Sequence, residues 1–466
     1  MKGSLDTRQD LHTFVAEYLE RHPEDVQIVD EPIGRDQDVT ALTMELRSRG
    51  RAPMVLCRDV QGLGMPLLTN VFASRPRVAQ MLGADVAGLH RAYLAGAARA
   101  VPPEVLADGP VLAVRQDRGI DLGALPMLVH FEQDAAPYLT SAIVLANDPE
   151  TGIGNASYHR CMVASPTSLA TSLHSRGHLW RYLETARERG EVLPVAVVIG
   201  GHPLFMLACS ARVGIDVDER DIAGGLFGHP LQVVPTPRFE IGVPATADIV
   251  LEGVIDPEAT AKEGPFGEYS GYASDRSTHN VIEVSTVLRR SDPMLLDVVS
   301  GNSPDHLNLG RIPRESEMSA RIRERFTEVR DIAYPASGTH FHCYIALRRG
   351  VPAQARQALL AVLAMDPYVK LAVAVDDDID VNRDDEVLWA VATRFQADRD
   401  LVVIPRLPGS PLDPSSDAGV TARMGIDATA GPDFVGERIT LSDAALARAR
   451  RIIGPEGSGR LPSPAH

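Results

Sequence analysis

Two acidic residues five positions apart are the strongest chemical signal in the sequence. Glu263 and Glu268 enclose Gly-Pro-Phe-Gly, and Tyr-Ser-Gly-Tyr follows them. Proline and glycine restrict the backbone of such a loop, so it can hold both carboxylates at fixed distances from a basic group. One carboxylate can then stay ionised in an ion pair while the other donates a proton. For the hexapeptide alone, a surface turn with two solvated glutamates is an equally good interpretation.

A second segment brings an amide, a hydroxyl and a guanidinium close together. Asn155, Ser157 and Arg160 belong to the sequence Asn-Ala-Ser-Tyr-His-Arg, at the start of a β-rich run. On extended backbone, Asn155 and Ser157 point to the same side. Taken alone, the segment is more simply a surface turn with an ordinary ion-paired arginine.

Candidate metal ligands come from two further segments. His174 and His178 are one helical turn apart and can form half of a zinc site, but the sequence has no HExxH motif and no evident third ligand. One histidine combined with oxygen ligands is more plausible. Glu219, in Val-Asp-Glu-Arg-Asp-Ile-Ala-Gly-Gly, is by itself most simply a surface or helix-capping carboxylate.

The best-known nucleotide-binding motifs are missing. The chain has no GxxxxGK[ST] motif, and GIGNAS at residues 152–157 is not a GxGxxG motif, so neither a P-loop nor a dinucleotide-type Rossmann turn is predicted. With 46 basic and 62 acidic side chains the net charge is −16. This balance disfavours nucleic acid and anionic membranes as main partners. An anionic ligand must therefore meet a locally basic or metal-bearing site.

The sequence predicts a cytoplasmic protein. Its four cysteines (Cys57, Cys161, Cys209 and Cys343) form no CxxC pair and show no spacing typical of a disulfide framework. The N-terminal segment lacks the apolar core of a signal peptide, and no run of 18 apolar residues occurs, so no membrane-spanning segment is expected.

The first two-thirds of the chain divide into two regions that differ in their pattern of helical and strand-like runs. The 466 residues correspond to about three domain lengths. Residues 1–115 are predicted to form an α/β unit that opens with an amphipathic helix, for which Thr7 is a candidate cap. Short β-rich runs at Val26–Val29 and Met54–Cys57 predict strands of this unit. Residues 116–303 are rich in β-branched runs separated by Gly and Pro and predict a sheet or barrel. A helical insertion is expected from about residue 168 to 190.

The last third returns to alternating helical and strand-like runs. Residues 304–440 predict a second α/β domain, and residues 441–466 predict a lone helix, capped by Ser442, with a polar tail. A helix that has nothing left in its own chain to cover often packs on a partner subunit.

Together these segments resemble the UbiD-like family of decarboxylases, which use prenylated FMN. The shared motifs are NxSxxR at residues 155–160, His178 ahead of a helix and the strand PVAVVIGGHP, DExxIAGGLFG around Glu219, and EGPFGE at residues 263–268. The C-terminal half adds KLAVAVDDDIDV, EVLWAVATR, LDPSS and MGIDAT. The order and spacing of these motifs match the family across most of the chain.

The resemblance implies a fold, cofactors and partners. The fold is α/β, with a central split β-barrel (flavin reductase-like) domain flanked by N- and C-terminal α/β domains. Prenylated FMN would bind in the cleft between the central and C-terminal domains. Mn²⁺ or Mg²⁺ would bind to its phosphate, with K⁺ close by. The family also implies a homodimer or larger homo-oligomer that exchanges the C-terminal helix, and a flavin prenyltransferase as the supplier of the cofactor.

Specific residues match the family's functional positions. The resemblance assigns metal binding to Asn155, His178 and Glu219, and catalysis to Arg160, Glu263 and Glu268. It assigns cofactor binding to Asn155, Ser157, Arg160, Gly177, His178, Cys209, Ser210, Glu219 and Arg423. The family usually has Lys at the position of Arg423, and this departure leaves the role of that position open, because Arg and Lys donate with different geometry.

The chemistry requires an electron sink. Loss of CO2 from an sp² carbon leaves an electron pair that neither a carboxylate nor a guanidinium can accept, so an organic cofactor is needed. The resemblance implies reversible non-oxidative decarboxylation of an aromatic, heteroaromatic or α,β-unsaturated acid through a covalent adduct with prenylated FMN. Arg160 would orient the substrate carboxylate, Glu263 would hold Arg160, and Glu268 would protonate the carbon.

Two other interpretations stay open at this point. A split-barrel oxidoreductase that uses plain FMN would bind a flavin in the same kind of domain, but hydride transfer needs no proton donor paired with an arginine. A non-catalytic subunit of a decarboxylase complex would keep the fold, but it would have no need to retain Arg160, Glu263 and Glu268.

Overall fold

A computed structural model of the chain describes residues 5, 7–61, 64–173, 177–350, 353–431 and 434–453. The candidate ligand His174 lies outside the described residues. The α-helices of the described residues are, in chain order, α1 (Leu11–Arg21), α2 (Asp38–Ser48), α3 (Arg75–Met81), α4 (Leu89–Ala97), α5 (His178–Arg189), α6 (Pro203–Ala208), α7 (Glu219–Phe227), α8 (Pro304–Arg325), α9 (Gln354–Met365), α10 (Asp384–Arg394) and α11 (Asp443–Ile453).

The strands fall into several separate sheets. They are β1 (Val26–Val29), β2 (Met54–Cys57), β3 (Leu67–Thr69), β4 (Glu104–Val105), β5 (Val114–Gln116), β6 (Tyr138–Leu139), β7 (Ile143–Asn147), β8 (Gly154–Tyr158), β9 (Cys161–Ser165), β10 (Ser168–Thr171), β11 (Leu193–Ile199), β12 (Gln232–Pro235), β13 (Gly242–Pro244), β14 (Ile249–Thr260), β15 (Phe266–Gly267), β16 (Ala273–Ser274), β17 (Asn280–Arg289), β18 (Leu295–Leu296), β19 (Val329–Ala333), β20 (His342–Leu347), β21 (Leu371–Asp376), β22 (Leu401–Pro408) and β23 (Val420–Asp427).

The N-terminal sheet has the order β1-β2-β3-β18. Its last strand comes from far along the chain and pairs with β3 in parallel. The start of α8 is fixed to the same sheet, because the buried Asp305 carboxylate accepts hydrogen bonds from the backbone N–H groups of Asn70, Phe72 and Val299. Burial raises the pKa of Asp305 to about 7. The N-terminal unit and α8 are therefore tied together by one carboxylate.

The central sheet has nine strands, in the order β6-β9-β10-β17-β14-β11-β7-β8, with β5 paired to β17. Its long strands β14 and β17 are antiparallel and buried over most of their length. Between the described strands at the two ends of this path no pairing closes the sheet into a barrel. The mixed α/β architecture with several sheets is confirmed, and the split-barrel form of the central domain stays a prediction.

The C-terminal sheet has the order β19-β20-β21-β23-β22. It is mixed, since β20-β21 and β21-β23 pair in parallel while the two outer pairs are antiparallel. Separate apolar clusters cover its two faces: Leu359 and Val362 of α9 belong to one, and Val387 and Ala390 of α10 belong to the other.

The last described helix, α11, is largely exposed within the described part of the chain. None of its residues is buried, and Ile452 and Ile453 are exposed. Ser442 caps it as predicted, since its Oγ accepts a hydrogen bond from the Ala445 N–H. No helix in the described part of the chain is long and apolar enough to cross a membrane.

Candidate active site

A cavity of about 750 Å³ lies between the central sheet and the C-terminal part of the chain. From the sheet side its lining includes Arg160, Phe266, Glu268, Cys209 and Ser210. From the C-terminal side it includes His306, Tyr368, Ser410 and Leu412. A deep cleft between two structural units is a common place for a cofactor or substrate.

Arg160 is held at the wall of this cavity by two carboxylates. It follows β8, and its Nε and Nη2 donate to the two carboxylate oxygens of Glu263, at 2.8 and 2.9 Å. Its Nη1 contacts Glu268, and its Nη2 also donates to the backbone carbonyl of Arg276 at 2.7 Å. The side chain of Glu263 is fully buried and that of Arg160 is 12% exposed. A paired fork of this kind fixes the guanidinium plane.

Aromatic side chains complete the surroundings of the ion pair. The Tyr138 hydroxyl donates to Glu263 Oε1 at 3.0 Å. Burial and the neighbouring Glu263 carboxylate raise the pKa of Tyr138, so this hydroxyl keeps its proton. The Phe266 ring packs 4.6 Å from the Tyr138 ring and 5.0 Å from the Arg160 guanidinium. The Glu263 carboxylate therefore accepts hydrogen bonds from both Arg160 and Tyr138.

The loop that carries the two glutamates is anchored by Asp134. The Asp134 carboxylate accepts hydrogen bonds from the backbone N–H groups of Gly267, His130 and Phe131, at 2.8, 3.1 and 3.0 Å. Gly267 packs against the Phe131 ring so closely that a Cβ there would collide with it. Asp134 and Phe131 therefore restrain the backbone of the Pro-Phe-Gly-Glu segment.

A second polar cluster gathers around the N-terminus of α7. Glu219 is the first residue of that helix, and its Oε2 accepts a hydrogen bond from the Ala156 N–H of β8 at 2.8 Å. His178 is the first residue of α5, and its Nδ1 lies 3.9 Å from Glu219 Oε1. Asn155 is buried on β8 and donates from Nδ2 to Ser157 Oγ at 2.8 Å. Glu219 therefore lies beside His178 and bonds the strand that carries Asn155 and Ser157.

Burial sets the protonation of this cluster. It raises the pKa of Glu219 from its ordinary 4.5 to about 7, against the opposing effect of the Ala156 N–H. It lowers the pKa of His178, and the nearby Arg181 lowers it further. The neutral imidazole is free to act as a ligand, and a cation would supply the counter-charge that the buried carboxylate needs in order to lose its proton.

The donor set fits a hard divalent ion. Among the residues that the structure describes, no three His, Cys, Asp or Glu side chains come together as a metal site. The cluster supplies two such side chains and one amide, so an ion bound there needs further ligands such as phosphate oxygens. Oxygen-rich sites with one imidazole suit Mn²⁺ or Mg²⁺.

The remaining predicted residues divide into two groups. Cys209 and Ser210 line the cavity at the C-terminal end of α6, and Gly177 precedes α5 at its N-cap. Arg423, on β23, is buried elsewhere. Its guanidinium donates to backbone carbonyls of the C-terminal part of the chain, including that of Pro367 at 3.3 Å, and it is not among the residues that line the cavity.

Sequence reasoning missed several residues around the cavity. Tyr138 bonds Glu263 across 125 positions of the chain, and His306 lines the opposite wall. His306 must donate from Nδ1 to the Gly301 carbonyl, 3.0 Å away, because that oxygen can only accept. Neither residue lies in a segment with an unusual local pattern, so no signal in the sequence could have identified them.

The comparisons with known proteins agree along almost the whole chain. Three family models match: the 3-octaprenyl-4-hydroxybenzoate carboxy-lyase N-terminal domain over residues 17–95, its Rift-related domain over 104–303 and its C-terminal domain over 307–428. The anhydromevalonate phosphate decarboxylase of Aeropyrum pernix is 34% identical over 86% of this chain and 90% of its own. That of Methanothermobacter thermautotrophicus is 30% identical over 89% and 96%.

Solved structures give the same result. The UbiD-class enzyme HmfF from Pelotomaculum thermopropionicum, in complex with FMN, has a TM-score of 0.89 and 33% identity over 95% of this chain and 99% of its own. An evolved dimeric form of HmfF, in complex with prFMN, has a TM-score of 0.86 and 31% identity over 94% and 98%. The chain therefore belongs to the UbiD family of carboxy-lyases and is a decarboxylase of the class that uses prenylated FMN.

Proposed function

We propose that Arg160, Glu263 and Glu268 carry out decarboxylation in the cavity between the central sheet and the C-terminal part. The observation that carries this proposal is the position of the Arg160 guanidinium, which is fixed by both oxygens of Glu263 and faces Glu268 at the cavity wall. Prenylated FMN, when bound, supplies the electron sink that these side chains lack.

Arg160 binds and orients the substrate carboxylate. Glu263 neutralises the guanidinium and fixes its plane, and the Tyr138 hydroxyl and the Phe266 ring hold the pair in place. Arg160 then has one N–H left on Nη1, held in one orientation for the substrate. Such fixed positioning reduces the entropic cost of reaching the reactive geometry.

Glu268 protonates the carbon that loses CO2. In the free protein Glu268 contacts Arg160. When a substrate carboxylate joins the same guanidinium, two carboxylates share one cation, and Glu268 is then best accommodated as the neutral acid. Departure of CO2 leaves that acid next to the carbon that needs a proton.

The cluster of Asn155, His178 and Glu219 binds Mn²⁺ or Mg²⁺ together with the cofactor phosphate. On a protein with a net charge of −16, a bound cation gives the phosphate the positive partner that it needs. We further propose that Ser157, Gly177, Cys209 and Ser210 contact the cofactor and that K⁺ binds close to the divalent ion. Arg423 contributes to cofactor binding only indirectly, because its Nη1 and Nη2 donate to backbone carbonyls.

The substrate is an acid whose carboxylate is attached to an sp² carbon. Relatives that share 30–34% of their residues with this chain are named anhydromevalonate phosphate decarboxylases, so a phosphorylated α,β-unsaturated acid is the first substrate to test. Aromatic and heteroaromatic acids are the alternatives, and the reverse carboxylation at high CO2 uses the same residues.

We also propose the domain bounds, the oligomeric state and the source of the cofactor. The domains comprise residues 1–115, a central split barrel at 116–303 and residues 304–440, followed by the helix and tail at 441–466. The exposed helix α11 contacts a partner subunit in a homodimer or larger homo-oligomer. The protein is cytoplasmic and receives its cofactor from a flavin prenyltransferase.

The direct test is co-expression with a flavin prenyltransferase, followed by measurement of CO2 release from a panel of acids. The panel contains anhydromevalonate phosphate, a cinnamic-type acid, a phenolic acid and a furan carboxylic acid. We expect CO2 from at least one acid, and only with the prenylated cofactor. Equal activity with plain FMN, or no CO2 from any acid with the cofactor fully loaded, would overturn the proposal.

A further inference from the structure

Tyr269 follows Glu268 directly in the chain, but its side chain lies in the C-terminal part of the molecule. Its hydroxyl and Ser410 Oγ are 2.5 Å apart, and both side chains are buried. Ser410 also accepts a hydrogen bond from the Leu412 N–H at 3.2 Å and lines the cavity. The hydroxyl of Tyr269 is therefore bonded to the wall of the cavity that faces Arg160.

The Tyr269 ring is enclosed by aromatic side chains of the same C-terminal part. Its centroid lies 4.8 Å from His340, 5.7 Å from Phe341 and 6.2 Å from Tyr368. Tilted and edge-on ring pairs at such distances are attractive. Burial raises the pKa of Tyr269, which keeps the hydroxyl protonated for its hydrogen bond.

Glu268 lines the cavity, while its neighbour Tyr269 bonds Ser410 on the opposite wall. Glu268 contacts Arg160 on the sheet side, while Tyr269 packs on the C-terminal side. Both residues belong to a tight turn, since the Glu268 N–H donates to the Tyr272 carbonyl at 3.0 Å and the Gly271 N–H donates to the Glu268 carbonyl at 2.9 Å. The contacts of the Tyr269 side chain and the bonds of this turn therefore restrain the same short backbone segment as Glu268.

We propose that Tyr269 is a positioning residue that couples Glu268 to the C-terminal wall of the cavity. Through Ser410 and the aromatic cluster, it fixes the position of Glu268 at the cavity wall. Glu268 is in place for proton transfer only while the C-terminal part is docked on this loop. The inference rests on the proposed role of Glu268 as the proton donor.

The test compares Tyr269→Phe, Ser410→Ala and the double variant with the wild-type enzyme loaded with prenylated FMN. Tyr269→Phe removes the bond to Ser410, and Ser410→Ala removes that bond together with the one from the Leu412 N–H, so kcat should fall by about 2- to 10-fold in each. The double variant should fall no further than Ser410→Ala, because the Tyr269–Ser410 bond is already absent there. Tyr269→Ala, which also removes the ring packing, should lower kcat by about 100-fold, the order expected for a misplaced catalytic group.

Two readouts separate positioning from a loss of folded protein. The solvent deuterium isotope effect on kcat should rise in each Tyr269 variant, because proton transfer becomes slower than the other steps, whereas fewer folded molecules would leave this ratio unchanged. Hydrogen exchange of the 263–272 peptide, which needs no substrate, should become faster in Tyr269→Ala.

Tyr272 provides the matched control. It belongs to the same loop but is 63% exposed, so Tyr272→Ala should match the wild type in both readouts. If Tyr269→Ala behaves like Tyr272→Ala, the inference is wrong. Glu268→Gln separates this failure from that of the proposed function: normal turnover in that variant removes the role of Glu268 itself, whatever the Tyr269 variants do.

Discussion

Glu219→Gln should change how the stability of the metal-free protein depends on pH. Burial raises the pKa of Glu219 from 4.5 to about 7. The folded protein therefore binds more protons than the unfolded chain between these values, and its stability falls as pH rises through that window. The difference corresponds to roughly 3 kcal/mol of lost stability above about pH 7.

The same carboxylate must be ionised to bind a cation. Addition of Mn²⁺ should restore stability to the wild-type protein at pH 8, and the apparent affinity should fall about tenfold for each pH unit below about 7. Glu219→Gln removes both the titration and the anionic ligand. The variant should therefore lose less stability than the wild type between pH 5 and pH 8, and it should gain little from Mn²⁺.

The assay is thermal unfolding of chelator-treated protein at pH 5 and pH 8, with and without Mn²⁺. Glu258→Gln is the matched control, because the Glu258 side chain is 81% exposed and should give the wild-type profile. If Glu219→Gln and the wild type respond equally to pH and to Mn²⁺, the reasoning about a buried metal-binding carboxylate is refuted.

Two further substitutions test the support of the ion pair. Glu263→Gln leaves the Arg160 guanidinium without its buried counter-charge. The free energy of unfolding should therefore fall by about 3 kcal/mol and kcat/KM by about 100-fold. Unchanged values in denaturation and steady-state assays would contradict the assigned role. Gly267→Ala places a methyl group against the Phe131 ring and should cost about 1–3 kcal/mol in denaturant unfolding. Gly431→Ala is its control, because no atom of the described residues lies within 4 Å of the added Cβ. Equal stability of the two variants would argue against the tight packing.

The elements that local patterns specify well were predicted closely. The strands Val26–Val29 and Met54–Cys57 have the predicted bounds, because each is a short apolar run limited by polar residues. Thr7 as the cap of the first helix was wrong. A 3-10 turn over Thr7–Gln9 intervenes, and the Asp10 carboxylate accepts the hydrogen bond from the His12 N–H at the start of the helix.

The helical insertion also begins later than predicted. Residues Ser168–Thr171 form β10, which pairs with both β9 and β17. Helix α5 begins only at His178. Sheet pairing with distant strands overrides the local helical pattern at this point, and such pairing leaves no mark in the local sequence.

In the candidate site, too, residues within local motifs were predicted, and residues that reach the site only through tertiary contacts were not. The motifs that contain Arg160, Glu263 and Glu268 pointed to residues that the fold does bring together. Tyr138 and Ser410 could not be found in this way, since each reaches the site through a contact more than 100 positions along the chain. Catalytic motifs are local, but the packing that orients them is set by the tertiary fold.

The most direct test of the account is CO2 release by Glu268→Gln, loaded with prenylated FMN and supplied with the acid that the wild-type enzyme converts fastest. Gln keeps the size of the side chain but cannot donate an acidic proton. We expect kcat of this variant to fall by at least about 100-fold, while its flavin content equals that of the wild type. Turnover close to the wild-type rate at equal flavin content would show that Glu268 is not the proton donor.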